Sequence, residues 1–509
     1  MRGPCWTCRS RTIQCDQSRF PCLKCEKAGL ECFDKRPLRW VKGVAIRGKM
    51  RGLSFEGASG AFNNLRFARQ RRSQPLLDSA TRSAANIGPC PALQDSRIHN
   101  LDRLSRFYID YYNKRICKLY ILYDSDSNPF RNLLPYALED SALRKSIVAL
   151  AARHFANTGH SFDQVDADIS PQFVNANLDA LFFKKQTLEA LSLSLSHAEH
   201  CKTTATWATI LLLIFLDLLE SGIDGWSIHL QGAKGLHIVY KSLVESDFSS
   251  HFDNVRGETA HEIRQFIAKQ LSLIETLGSA LSFPTSCFTP VLQYSVEDKE
   301  DRHQESIVRS FLGCPQFILR AVRFFSDQRI ILRDIENHDD ILAHENVRDT
   351  VEMLELTEKF DSFAWASNFQ RTSSSSTTDI NKLCMLSQAY QSAALLYGRE
   401  VLGTSRTAKH ENEELVSRLL GLIEALKGDA ALFKCLIWPT FIVGIGCWAQ
   451  SQRTFVTESL RLLWDSTGCL NVINASKILR DHWERKDQQG TPMRRDSDID
   501  GLDSGWLLI

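Results

Sequence analysis

The chain has 509 residues, 43% of them hydrophobic, and a formal net charge of +1 at pH 7. That length and composition support a folded core and about two to four domains, and the near-neutral total by itself argues against a nucleic-acid partner. The distribution of charge argues the other way. Residues 1–52 hold 13 Lys or Arg against 4 Asp or Glu, a balance of +9, which leaves −8 on residues 53–509. A compact basic module on a mildly acidic body is the electrostatic footprint of a DNA reader joined to something else.

Six cysteines open the chain as C-x2-C-x6-C-x6-C-x2-C-x6-C: Cys5, Cys8, Cys15, Cys22, Cys25 and Cys32. CWTCRSRTIQC is followed by CLKCEKAGLEC, so one unit is used twice. Zinc prefers four tetrahedral ligands, thiolates above all in a closed structural site. Two ions need eight ligand positions, and six cysteines fill eight only if two of them bridge. Symmetry of the repeat puts Cys5 and Cys22 in the bridging role. A disulfide framework suits secreted chains, and no stretch here reads as a signal peptide. The spacing therefore predicts two zinc ions per chain.

These residues resemble the binuclear zinc-cluster DNA-binding domain of fungal transcription regulators, with Arg9, Arg11, Asp16, Pro21 and Gly29 at positions that family usually fills in this way. The resemblance implies two short helices around two zinc ions, with the first and fourth cysteines shared and the end of the first helix in the major groove. Arg9 and Arg11 fall between Cys8 and Cys15, expected to be helical, and guanidinium groups can grip phosphate or the guanine edge with paired bonds. Thr12 and Gln14 stand where many relatives carry further basic residues. That departure leaves zinc binding intact and alters the expected sequence preference.

The stretch 36–52, RPLRWVKGVAIRGKMRG, reads as a basic arm that tracks phosphates, with Lys42, Arg47 and Lys49 among the expected contacts. Residues 53–96 turn to Gly, Ser, Asn and Ala and read as a flexible linker. Arg69, Arg71 and Arg72 form a small basic group suited to nuclear import. No zipper heptads run between residues 53 and 100, which leaves a monomer, or dimerisation through the large domain.

From about residue 97 the periodicity is helical. Leu101, Leu104, Phe107, Tyr108, Tyr111, Tyr112 and Ile116 mark one apolar face. Leu143, Ile147, Val148, Leu150 and Ala151 mark another, as do Leu415, Leu419, Leu420, Ile423 and Leu426, with Asn412 as a start signal and Gly428 as a stop. The run Trp207 to Leu219 is interrupted by Asp217 and is too short to span a bilayer. SSSSTT at 373–378 reads as an exposed loop. The segments FYIDYYNKRICKLYILYDSDSNPFRNLLPYAL (107–138), ALRKSIVALAARHF (142–155) and WSIHLQGAKGLHIVY (226–240) resemble the helical regulatory domain that follows the cluster in one branch of the same family. That resemblance implies a body that regulates and does not catalyse.

Several tempting sites carry less. Asp124, Asp126 and Asn128 copy half of a calcium loop, but Pro129 and Pro135 occupy the places of its Gly and Glu, so turn and capping roles are expected. His197, His200 and Cys201 lack a fourth ligand, and His482 beside Asp481 reads as a helix-end residue. The nine cysteines from Cys90 to Cys469 read as reduced, mostly buried thiols. The last segment, DSDIDGLDSGWLLI (496–509), has the composition of a short activation peptide, yet Trp506 to Ile509 are expected to pack on the body, since four apolar residues are costly to leave in water.

The expectation is an all-α protein: a zinc-cluster DNA-binding domain (1–35), a basic arm and linker (36–96), a helical regulatory domain (97–487) and a tail (488–509). It is expected in the nucleus, as a zinc-dependent regulator of RNA polymerase II transcription that binds double-stranded DNA. A homo- or heterodimer partner and coregulators are its expected protein partners, with no membrane. The competing expectation is a protein-interaction regulator whose cluster is structural and binds DNA weakly or not at all.

Overall fold

The computed structural model describes residues 4–17, 19, 21–30, 32–33, 98, 100–163, 170–201, 203–223, 225–246, 256–281, 310–335, 340–372, 379–403, 409–489 and 505–509. The chain divides into two compact units, residues 1–86 and 87–509. The expected basic arm with Lys42, Arg47 and Lys49, the linker, the Arg69–Arg72 group and the Ser/Thr loop at 373–378 lie outside the described residues.

The first unit is built on two short helices, α1 (Trp6–Ser10) and α2 (Leu23–Lys27). The second is mainly helical, with one isolated bridge, Ile223 to Trp506, and no strand among its described residues. The fold is thus all-α, as the periodicity requires. Asp102, Asp140, Thr203 and Asp379 each accept a backbone N–H at the start of their helices, which satisfies donors the first turn would leave orphaned.

At the centre lies α7 (Thr204–Glu220), which follows α3 (Arg103–Tyr111), α4 (Leu134–Glu139), α5 (Ser141–Asn157) and α6 (Pro171–Leu195). Every residue of α7 from Thr204 to Leu219 is buried. A helix apolar on all sides must be wrapped on all sides, and α5, α8 (Gly225–Ser246), α9 (Arg256–Leu281) and α17 (Leu470–Gln489) do this. An aromatic cluster joins α7 to its surroundings: Phe215 stacks on Tyr120 with ring centroids 4.0 Å apart, and Phe130 and Phe311 meet it edge-on. Among the described residues, no helix is long and apolar enough to cross a membrane.

The remaining helices are α10 (Gln316–Ile335), α11 (Asp340–Glu358), α12 (Ser362–Thr372), α13 (Ile380–Val401), α14 (Lys409–Leu426), α15 (Ile437–Gly446) and α16 (Gln450–Thr467). They pack largely around α13, whose Tyr390 stacks parallel to the fully buried Trp438 and donates its hydroxyl to the Cys435 carbonyl at 2.6 Å.

Two expected boundaries move. The α14 helix begins at Lys409, so Asn412 sits inside its first turn and does not cap it. The apolar face expected over 101–116 changes winding: α3 ends at Tyr111 and a π-helical turn, Tyr112–Ile116, follows. The buried Arg131 accompanies this local irregularity: its Nε donates to Asn113 Oδ1 at 3.0 Å while its guanidinium pairs with Asp124. Asn128 bonds the Cys117 carbonyl and the Phe130 N–H. The half calcium loop is thus a turn locked by Arg131.

The segment 505–509 packs on the helical body. Leu507 and Leu508 are fully buried, the Leu507 N–H reaches the Gly222 carbonyl at 3.0 Å, and the Trp226 indole donates to the Gly505 carbonyl at 2.9 Å. His482 lies inside α17, not at its end, and its Nε2 sits 3.3 Å from the Ile445 carbonyl. His197 bonds the Leu193 carbonyl and Cys201 the Leu195 carbonyl, so these side chains serve the chain around them.

Candidate metal centre and nucleic-acid interface

Each half of the first unit opens with a cysteine that caps its own helix. Cys5 accepts the Cys8 N–H at 3.4 Å, and Cys22 accepts the Cys25 N–H at 3.4 Å. The turns that follow are also equivalent: Ile13 N–H to the Cys8 carbonyl and Leu30 N–H to the Cys25 carbonyl, both 3.0 Å. The backbone therefore repeats with the sequence. Thr7 ties the ends together, since its hydroxyl accepts the Phe33 N–H at 3.0 Å while the Trp6 N–H reaches the Phe33 carbonyl at 2.7 Å.

All six cysteines are buried and form a core of their own, with no other apolar side chain in it among the described residues. Their sulfurs fall into two groups, Cys5–Cys8–Cys15–Cys22 and Cys5–Cys22–Cys25–Cys32, each with its sulfurs within 4.8 Å of one another. Cys5 and Cys22 belong to both groups, which is how six thiols make two sets of four. Cys5 and Cys22 sulfurs are 3.8 Å apart, Cys8 and Cys22 3.6 Å, and Cys5 and Cys25 3.8 Å. Zinc–sulfur bonds of about 2.3 Å put the corners of a tetrahedron about 3.8 Å apart. The donor set fits two zinc ions in number, type and spacing, and none of the six thiols is engaged in a disulfide.

The thiols are not electrostatically alike. Burial pushes Cys8 up to about 12 and also raises Cys25. Cys22 is lowered, chiefly by the Cys25 N–H aimed at its sulfur. In Cys5 burial opposes ionisation, but the Cys8 N–H and neighbouring thiols outweigh it and the pKa falls. The two sulfurs common to both groups are thus those best prepared to carry charge.

Arg9 lies in the last turn of α1, whereas Arg11 is its C-cap and lies just past the helix, in the turn and not on the helical segment expected there. Both are exposed, and neither forms an ion pair among the described residues. Gln14 is exposed as well. Thr12 adopts φ 54°, a left-handed conformation that β-branched residues resist. Its hydroxyl is 2.7 Å from the Arg11 carbonyl. Its counterpart in the second half is Gly29, φ 61°, where no side chain is strained. The repeat spacing held this signal, since Thr12 and Gly29 follow their paired cysteines at the same distance; only the geometry gives it meaning.

Comparison with known proteins places both units. Residues 3–40 match the fungal Zn(2)-Cys(6) binuclear cluster domain, which binds two zinc ions, and residues 106–506 match the fungal specific transcription factor domain. A relative, the acriflavine sensitivity control protein acr-2 of Neurospora crassa, is 24% identical over 416 residues, covering 78% of this chain and 66% of its own length. The chain thus spans just under two thirds of that relative. No solved structure matches. Because the helical match runs through most of the second unit, the chain belongs to the fungal-specific transcription factor domain family, as a transcription regulator that carries a Zn(2)-Cys(6) cluster.

Proposed function

We propose that the protein is a zinc-dependent, sequence-specific DNA reader that regulates RNA polymerase II transcription in the nucleus. Cys5, Cys8, Cys15, Cys22, Cys25 and Cys32 would hold the two zinc ions, with Cys5 and Cys22 bridging. The observation that carries the proposal is the pair of four-thiol groups sharing those two sulfurs, with exposed Arg9 and Arg11 at the end of α1. Zinc would supply the cross-link that a unit with only thiols in its core among the described residues needs in order to fold. The chain's own residues do the rest. Arg9 and Arg11 offer donors to phosphate and to the guanine edge, Gln14 adds an amide, and Lys42, Arg47 and Lys49 extend the contact along the backbone. The residues involved perform recognition and no bond-making step.

A second reading, in which the cluster is structural and the protein acts through protein partners, draws support from Thr12. Its left-handed backbone and its hydroxyl turned to the Arg11 carbonyl suit it poorly for a base edge. Selection from random duplex DNA with the zinc-loaded full chain, with and without chelator, separates the two. An enriched motif that disappears with chelation supports the DNA reader and shows whether one or two half-sites are used. A zinc-replete protein that enriches nothing rejects direct readout.

A further inference from the structure

A cavity of about 800 Å³ opens in the helical body, within the size range of small-molecule sites. Tyr111, Phe155 and Trp464 give it aromatic walls, and Arg115, Lys118 and Lys434 line it with positive charge. Two carboxylates also line it, Asp124 and Asp465. Asp124 is already matched by the buried Arg131 guanidinium, so three cations face one uncompensated carboxylate. Arg115 is exposed, Lys118 half-buried, and neither side chain forms an ion pair among the described residues. Lys434 is fixed by the Lys118 carbonyl and by that of Ile121, the latter at 2.6 Å.

The helix ends around the cavity do not cancel this charge. The carbonyls of Thr467 and Gly468, at the end of α16, are taken up by His154 Nε2 at 3.1 Å and by Asn157 Nδ2 at 2.8 Å. Because His154 Nε2 donates there, its Nδ1 accepts the Tyr111 hydroxyl at 2.8 Å, which fixes a neutral ring on the cavity wall. Asn157 is fully buried and gives both Nδ2 hydrogens to carbonyls, yet its Oδ1 has no hydrogen-bond partner. That oxygen is sealed from solvent and lies in the packing behind the cavity wall.

We propose that this cavity binds a small aromatic carboxylate. The carboxylate meets Arg115 and Lys118 through charge-assisted bonds, and the ring lies among Tyr111, Phe155 and Trp464. The site lies wholly within the helical unit and makes that unit a receptor for an organic acid, a role separate from DNA recognition.

Isothermal titration of the full chain with 6-hydroxy-2-naphthoate tests the proposal, with 2-naphthol as the neutral comparison. The acid is expected to bind saturably with one site, and 2-naphthol at least about tenfold more weakly. The double variant Arg115→Gln/Lys118→Gln should lose at least about tenfold in affinity for the acid with an unchanged melting temperature, since one side chain is exposed and the other half-buried. Ala431→Trp, which puts a large side chain at another lining position, should abolish binding of the acid. No saturable binding of the acid below about 1 mM, equal affinity for acid and naphthol, or equal affinity in wild type and the double variant would each overturn the proposal. Neither zinc content nor DNA binding enters the readout, so its failure is distinct from failure of the DNA-reader proposal.

Discussion

The shared sulfurs allow a prediction that depends on connectivity. Cys22→Ser removes a sulfur common to both four-thiol groups, whereas Cys15→Ser removes one that belongs to a single group. After Cys15→Ser the group Cys5–Cys22–Cys25–Cys32 remains complete; after Cys22→Ser each group is left with three thiols. Apparent zinc-binding energies of about 10–16 kcal/mol in small structural sites, divided over four ligands, give on the order of 3 kcal/mol per zinc–sulfur bond. Cys15→Ser should therefore weaken one ion by about a hundredfold, and Cys22→Ser both ions by about a hundredfold each, on the order of 6 kcal/mol in total. Competition against a colorimetric zinc chelator resolves the two cases. For Cys15→Ser, one ion per chain should be released at low chelator and one retained to the wild-type concentration. For Cys22→Ser, both should leave early. If Cys22→Ser keeps one ion at wild-type affinity, Cys22 does not bridge and the shared-sulfur arrangement is wrong.

Three further outcomes are expected. Replacing Lys42, Arg47 and Lys49 together by Ala should flatten the log–log salt dependence of DNA binding by about 0.9 for each phosphate that is no longer neutralised; an unchanged slope removes the arm from the interface. Lys184→Met should destabilise the helical body by about 3 kcal/mol in urea titration, because Lys184 Nζ lies 2.8 Å from Asp217 and 2.6 Å from Glu220 and its loss strands two carboxylates. A loss below about 1 kcal/mol would show that the trio relaxes into water. Burial holds His154 down to about 4, below its unfolded value of about 6.5, so the unfolded chain binds the extra proton first. Its contribution, about 3 kcal/mol, is fully present above pH 6.5 and fades as pH falls toward 4. The melting temperature of wild type should thus fall more steeply over that interval than that of His154→Asn, and parallel curves would contradict the assignment.

The cysteine spacing was legible because metal geometry acts over fixed, short intervals in the chain. The helical body was legible too, since apolar periodicity survives wherever a helix buries one face, as along Leu143 to Ala151. The packing of Trp506 to Ile509 followed from the cost of leaving apolar residues in water. What local pattern does not carry is pairing at long range. Nothing near Lys184 announces Asp217 and Glu220, and nothing near Tyr112 announces that Arg131 will claim Asn113 and accompany a change of helical winding. Asn412 misled as a start signal because a capping residue and a first-turn residue look the same until the helix is seen to begin at Lys409. The cavity was invisible for the same reason, since its walls come from segments as distant as Tyr111 and Gly468.

The duplicated backbone of the first unit also has a consequence for polarity. A unit whose two halves repeat the same backbone hydrogen bonds offers a partner two similar backbone faces. The side chains break that degeneracy. Where the first half shows Arg9 and Arg11, the second shows Glu26 and Ala28, and Glu26 is held by Arg19. Toward a polyanion the first half presents Arg9 and Arg11 with no carboxylate on α1, whereas the second mixes Lys24 and Lys27 with the Glu26 carboxylate, which disfavours the second encounter. A repeated scaffold thus acquires a direction along its target, set by the side chains that differ between the copies and needing no change in the metal cage.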